Sequence, residues 1–173
     1  MKIDRSGWVI DEVRPRSIAA MILGSHYLHQ MPAIVPCAMS LTVDGWIKGA
    51  LVWAVPPKET NQRYGCETWE LARLWLSDEL PKNSETWFIA KAVRHVRQAH
   101  REIGCLVSYA DPSVGHRGTI YYAANWLYEG MTDSDRKTPR WDYLYGMKRL
   151  GRSGRGDGRV ARQPKHRFIY RLR

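Results

Sequence analysis

Residues able to do chemistry crowd into one short stretch: Ser108, Tyr109, Asp111, His116, Arg117, Tyr121 and Asn125. An apolar run at 106–110 ends at that cluster. Pro112 and Gly115 then interrupt the chain, and a helical pattern begins near Gly118. The pattern reads as strand, turn, helix. In an open α/β sheet, ligands bind at the carboxyl ends of strands. That places Asp111 at such an end and Tyr121 one turn into the following helix. A carboxylate there can take up a proton or ligate a cation. It can also close a turn through its own backbone. The polar company around Asp111 favours the first use.

Two other places combine reactive groups. His26 and His29 stand at i, i+3 near the end of a helix that opens at Pro15. They either answer the helix dipole or belong to a site. Glu70 and Arg73 interrupt an otherwise apolar stretch, Thr68–Leu76, which reads as a strand by its length and aromatic content. Strand alternation sets Trp69, Leu71, Arg73 and Trp75 on one face and Glu70, Ala72 and Leu74 on the other. A charge on each face is unexpected in a core, so either the strand is half-exposed or Glu70 and Arg73 serve a site. No P-loop, G-x-S-x-G, H-E-x-x-H or G-x-G-x-x-G occurs. The glycine-rich run at 151–159 lacks the flanking strand and helix of a nucleotide loop.

The remaining elements must position these groups. A first strand covers 8–13, and the Pro15 helix turns Ile18, Met21, Ile22 and Leu28 inward. Asp44-Gly45 between the apolar runs 37–43 and 46–55 marks a hairpin. Residues 58–65 read as a polar loop. Asn83 or Ser84 caps a helix that runs to about Ile103 and stops at Gly104. It buries Ile89, Ala92, Val93, Val96, Ala99 and Ile103 and turns Lys91, Arg94, Gln98 and Arg101 outward. The helix from Gly118 to Leu127 buries Ile120, Ala123, Ala124 and Leu127, leaving Tyr121, Asn125 and Tyr128 on a different face. Strands at 128–132 and 141–147 follow.

The 173 residues suffice for one domain with a sizeable core, and at 44% hydrophobic content the chain folds rather than staying disordered. Its net charge of +10 is uneven: residues 148–173 hold ten Lys and Arg against one acid, Asp157. A nearly neutral body therefore carries a basic tail, which suits a polyanion such as nucleic acid. Eight Trp and nine Tyr against two Phe suit surfaces that stack on bases as well as cores. Cys37, Cys66 and Cys105 are odd in number and far apart in sequence, which implies no disulfide framework or zinc ribbon and fits a reducing compartment. The first residues lack the apolar run of a signal peptide, and no run reaches the length of a membrane span.

The order of strand, helix, hairpin, strand, helix, strand, helix, strand resembles the GNAT acyltransferase fold. In that family an acyl-CoA pyrophosphate sits at the N-terminus of the helix after the fourth strand, here 81–86, where unpaired N–H groups and the dipole favour an anion. The family's glycine-bearing motif is absent: no glycine occurs between Gly65 and Gly104. A tyrosine on the later helix often protonates the departing thiolate in that family, and Tyr121 stands in a comparable place.

The blocks 26–29 (HYLH), 70–75 (ELARLW), 81–89 (PKNSETWFI) and 108–121 (SYADPSVGHRGTIY) are similar to the Mom family of phage DNA-modification proteins, which has a GNAT-like fold. The last block is the most specific, and the tail lies outside the match. The resemblance implies hypermodification of adenine N6 in phage DNA to an acetamido or methylcarbamoyl-type group, which blocks host restriction in the bacterial cytoplasm. Carried over by motif, the catalytic positions are His26, Tyr27, Asp111 and Tyr121, and the cofactor-binding positions are Arg73, Ser84 and Thr86. The N6 lone pair is delocalised into the ring, so such an enzyme must supply a strong electrophile, a base or a metal. N6 is also paired in a duplex, so the base must be flipped out or taken single-stranded. The donor is left open, an acyl-CoA-type compound among the choices. His26, Tyr27 and Asp111, with His29 or His116 in reserve, form a nitrogen-and-oxygen set compatible with iron or another transition metal. The DNA-binding positions are Lys91, Arg94, Arg101 and Arg117 in the body and Arg152, Arg155 and Arg159 in the tail.

The expectation is thus an α/β domain over 1–147 with a GNAT-like mixed twisted sheet flanked by helices. A basic tail at 148–173 follows, disordered through its glycines, with Phe168, Ile169 and Tyr170 docking back. Its first function is a DNA adenine-modifying transferase. The alternatives are an acetyl-CoA-dependent transferase acting on an amine other than DNA, and a non-catalytic DNA-binding protein.

Overall fold

The computed structural model describes residues 4–26, 30–133, 137–146, 148–151 and 156–173, the four at 148–151 by backbone alone. Strand β1 (Trp8–Val13) leads through α1 (Pro15–Ser25) to the hairpin β2 (Cys37–Val43) and β3 (Trp46–Ala54). The hairpin turns as its Asp-Gly dipeptide requires: Asp44 and Gly45 both have positive φ, 50° and 81°. Then come α2 (Lys58–Tyr64), β4 (Thr68–Leu76), α3 (Ser84–Ala99) and β5 (Cys105–Ala110). A 3-10 turn (Pro112–Val114) and α4 (Thr119–Ala123) precede β6 (Leu127–Met131), β7 (Trp141–Tyr145), β8 (Lys148–Gly151), β9 (Gly158–Ala161) and β10 (His166–Arg171).

Seven strands form the main sheet in the order β1-β2-β3-β4-β5-β10-β6. Every pair is antiparallel except β4 with β5, the two joined by the α3 crossover. One face packs on α3 through Met39, Leu41, Leu71, Phe88, Ile89, Val96 and Leu106. The opposite face takes α1 through Ile18 and Ile22 against Ala38, Ala50 and Val52. Strands β8, β7 and β9 form a second, three-stranded sheet.

Several expectations change. Residues 58–64 are helical rather than loop, with Gly65 at φ 67° ending α2 in a left-handed cap. The helix at 118–127 is shorter: α4 stops at Ala123; Ile120 and Ala124 pack on the core as expected, but Tyr121 is buried while Ala123 is exposed and Leu127 is 63% exposed. The segment from 148 onward is not a tail appended to a finished body. Strand β10 lies inside the main sheet between β5 and β6, with Phe168 and Ile169 fully buried. Burial of two large apolar side chains outweighs the charge of their neighbours. The boundary expected at 147/148 therefore cuts through one folded unit. Of the glycine-rich stretch, residues 152–155 lie outside the described residues, and Gly158–Ala161 pair as β9. Cys66 and Cys105, distant in sequence, have their sulfurs 2.9 Å apart as free thiols.

Strand β4 also departs from simple alternation. Trp53 pairs with Leu71 and Val52 with Arg73, so Ala72 is an extra residue and the strand is bulged there. Trp69 and Leu71 face α3, the bulge shifts the parity, and Leu74 and Leu76 keep to the same face. Trp75 crosses to the α1 face. Glu70 and Arg73 thereby share one face, not two.

Candidate active site

Strands β4 and β5 pair from Thr68 with Cys105 to Leu71 with Ser108 and then part. Beyond that point β4 stays with β3 and β5 stays with β10. The sheet opens as a V at the carboxyl ends of two parallel strands, where an α/β sheet binds ligands. The opening is a cleft of about 520 Å³. Ala72, Leu74 and Trp75 line one arm and Tyr109 and Ala110 the other; His26 closes it from α1, Glu85 from α3 and Tyr121 from α4. The bulge at Ala72 sits at the fork.

Tyr121 is held at the apex. Ser108 Oγ lies 2.7 Å from the Tyr121 hydroxyl and 2.9 Å from the Leu71 carbonyl. A carbonyl only accepts, so Ser108 donates to Leu71 and the Tyr121 hydroxyl donates to Ser108. The phenol, 7% exposed, is thus fixed at the last paired rung of β4 and β5. His26 also reaches the cleft, buried at the C-terminus of α1, where its backbone N–H bonds to the Ile22 carbonyl. Tyr27 and His29 lie outside the described residues.

Asp111 is not in the cleft wall. Its carboxylate, 1% exposed, accepts from Ser113 N at 3.0 Å and Ser113 Oγ at 2.5 Å and pairs with Lys165 Nζ at 3.1 Å. Burial alone would raise the Asp111 carboxyl, but Ser113 and Lys165 outweigh it and hold it below the ordinary aspartate range. Of the two uses read from the sequence, the structure shows the turn: Asp111 closes it onto Ser113 and pairs with Lys165.

That lysine opens onto a second cavity of about 510 Å³ on the α1 face of the sheet, whose wall includes Glu70, Tyr109, Thr132, Arg140, Arg162 and Lys165. Burial pushes the Glu70 carboxyl up, against the pull of Arg73 and Lys165. Burial beside Glu70 pushes the Tyr109 phenol up to about 12. Tyr109 belongs to both cavities. In the sequence Glu70 stands out as a charge in an apolar strand. Lys165 is hidden in the supposed tail, and its only signal is the apolar run after it.

Arg73 is 8% exposed, and its guanidinium donates to the Gln30 carbonyl at 2.8 Å and the Ala72 carbonyl at 2.6 Å. These bonds tie the chain after α1 to the bulge. Ser84 Oγ donates to the Pro81 carbonyl at 2.5 Å and is buried, and Thr86 is half-buried outside both cavity walls. The α3 residue that does face the cleft is Glu85, an acid in the first turn. A carboxylate already answers the helix dipole there and repels a second anion. With no glycine to let backbone approach, this end of the cleft does not fit an acyl-CoA diphosphate. Among the described residues no metal-ligand cluster includes His26 or Asp111.

The DNA-binding positions are dispersed. Lys91, Arg94 and Arg101 are exposed on the α3 side. Arg117 is exposed at the cleft. Arg159 stacks on Trp141 at 4.5 Å. Arg152 and Arg155 lie outside the described residues.

A model of the Mom protein family matches residues 7–173. The chain belongs to the Mom protein family. It is 31% identical over 102 residues to methylcarbamoylase mom of Escherichia phage Mu, a match covering 58% of this chain and 42% of that protein. The chain thus spans about two-fifths of that relative's length. Among solved structures it is similar to yncA, a putative acetyltransferase from Salmonella typhimurium, with TM-score 0.59 and 10% identity over 97% of this chain and 95% of that one. The ribosomal-protein-S5-alanine acetyltransferase of Vibrio fischeri gives 0.59 and 9% over 98% and 96%. The aminoglycoside acetyltransferase AAC(6')-Ib gives 0.60 and 12% over 95% and 94%. These likenesses establish the GNAT fold for this Mom-family chain. No described helix is long and apolar enough to cross a membrane.

Proposed function

We propose that this chain is a phage DNA-modifying transferase that places an acetamido or methylcarbamoyl-type group on adenine N6 and so protects the DNA from restriction. The observation that carries the reading is the pair of cavities that share Tyr109 beside the β4 bulge. Two cavities meeting at a fork suit a reaction that joins two molecules. The cleft takes the activated donor, and the cavity on the α1 face takes the flipped adenine against Tyr109, as base-modifying enzymes do. The name of the phage Mu relative supports a methylcarbamoyl group.

In this reading Glu70 is the base. A carboxyl raised by burial is a better proton acceptor near neutrality than an ordinary glutamate. The N6 nitrogen attacks the donor carbonyl carbon as its proton passes to Glu70. The new C–N bond forms, the bond from that carbon to the leaving group breaks, and the departing atom takes the Tyr121 proton. Lys165, held by Asp111, keeps a positive charge beside the ring nitrogens as electrons leave N6. Tyr109 stays a phenol throughout.

Nucleosides from DNA co-expressed with the protein, separated and weighed by mass spectrometry, test the proposal. A modified adenosine absent from a Glu70→Gln control is the expected result. Unchanged adenine with an acylated small amine would make this an N-acyltransferase of another substrate. Unchanged adenine with retained DNA affinity would make it a binding protein.

A further inference from the structure

A cluster of metal-binding side chains lies away from both cavities. Glu12 of β1, Cys37 of β2, His95 of α3 and His100 just beyond α3 each offer one ligand atom, all within 4.8 Å of one another. Glu12 Oε2 stands 2.7 Å from His95 Nε2 and 3.4 Å from His100 Nε2. Cys37 is 2% exposed, beneath the imidazoles. None of the four lines either cavity.

The geometry beyond the four atoms favours a cation. His100 directs its other ring nitrogen at Glu102, with Nδ1 3.7 Å from Oε1. A metal-bound histidine commonly turns its second nitrogen toward a carboxylate, and a contraction of under an ångström brings this pair to hydrogen-bond distance. The His100 ring also lies against Trp69, centroids 4.6 Å apart, which sets its plane. A tetrahedral zinc with bonds of 2.0–2.3 Å needs ligand atoms about 3.3–3.8 Å apart. Changes of about an ångström or less draw the outermost pair in and part Glu12 Oε2 from His95 Nε2, 2.7 Å apart here, to reach that range.

We propose that Glu12, Cys37, His95 and His100 form a four-coordinate zinc-class site. One sulfur, two imidazole nitrogens and one carboxylate oxygen suit Zn²⁺ and its spectroscopic stand-in Co²⁺. Four protein ligands close the shell, as in a structural rather than a catalytic centre. The ion pins the edge strand β1 and β2 to the C-terminal end of α3, and its binding releases the Cys37 proton. The site is independent of the transfer reading, since it touches neither the cleft nor the Glu70 cavity.

Titration of the chelator-treated full chain with Co²⁺ tests it. One equivalent is expected to bind, with a sulfur-to-cobalt charge-transfer band and strong tetrahedral ligand-field bands. Zn²⁺ should bleach these bands and raise Tm. His95 is partly exposed, so His95→Ala folds; it should weaken Co²⁺ binding by more than the roughly 10- to 100-fold typical of losing an outer partner. Cys37→Ser should remove the charge-transfer band, and His26→Ala should leave the spectrum unchanged. Absence of the band in the wild type, its persistence in Cys37→Ser, or its loss in His26→Ala alone would overturn the proposal.

Discussion

Gly118→Ala tests whether the C-terminal strand is a working part of the core. Gly118 has φ +75°, and a Cβ there would fall 2.2 Å from Phe168 Cε2 and 2.3 Å from Cζ. Phe168 has no exposed surface and is boxed by Tyr121, Tyr122 and Tyr128 at centroid distances of 5.1, 5.0 and 5.3 Å. The ring cannot step aside without moving three others. The left-handed backbone costs an L-residue about 1–2 kcal/mol. Overpacking a closed site adds roughly 1–3 kcal/mol. A total near 3 kcal/mol lowers Tm by about 6–12 °C in a chain of this size. Thermal and urea denaturation followed by far-UV circular dichroism would read it. In a Phe168→Leu background the collision is relieved and the backbone cost remains, so the two changes should couple by about 1–2 kcal/mol. An equal penalty in both backgrounds would mean that Phe168 does not pack on Gly118, and the argument for a docked β10 would fail.

Glu70→Gln should abolish modification while preserving the melting curve, and the wild-type rate should fall with acid at a pH above that of an ordinary glutamate, because the working base is the deprotonated form of a raised carboxyl. Asp111→Asn should cost about 1–3 kcal/mol at neutral pH. Because the folded carboxyl is lowered, that gap should be full above the unfolded value near about 3.9 and close as pH falls through the folded one, which paired acid titrations would show. Arg73→Lys should recover little of the stability lost in Arg73→Ala, since one ammonium cannot reproduce the fork on the Gln30 and Ala72 carbonyls; equal melting of Lys and Arg forms would refute this. If adenine enters from the α1 face, charge reversal at Arg140, in the wall of that cavity, should flatten the salt dependence of duplex binding by about 0.9 for the phosphate no longer neutralised. Reversal at Lys91 and Arg94, on the opposite face, should leave the slope unchanged.

Much of the fold is legible in the sequence because its signals are local. Asp-Gly between apolar runs demands a hairpin, and Gly104 follows an amphipathic run that buries Ile89, Ala92, Val93, Val96 and Ile103 as expected, with Ala99 exposed and Phe88 added. The C-terminal segment misleads because its charge is written along the sequence while its burial is decided across the sheet. The alternating residues of β10 lie between β5 and β6, where the backbone of Phe168 pairs with Ser108 on one side and Tyr128 on the other. No local pattern announces a strand that inserts between two earlier ones. The short α4 escapes for a related reason. Asn125, two residues beyond the helix end at Ala123, takes φ 61° and sends Leu127 outward.

The fork between β4 and β5 shows in the sequence only as two charges that seem misplaced, and the bulge at Ala72 is the reason. Counting by twos along β4 separates Glu70 from Arg73, and with that parity the strand looks like a core strand spoiled on both faces. One extra residue changes the count. Glu70 and Arg73 then share the α1 face, the apolar residues before and after the bulge share the α3 face, and the strand becomes consistent with an apolar side toward α3 and its two charges together on the other. The bulge lies where β4 leaves β5, so the same irregularity that re-aims Arg73 opens the cleft. A charge pair at i, i+3 in an apolar strand is therefore the sequence trace of a bulge. The alternation rule fails at the point where the sheet departs from regular pairing and the cleft opens.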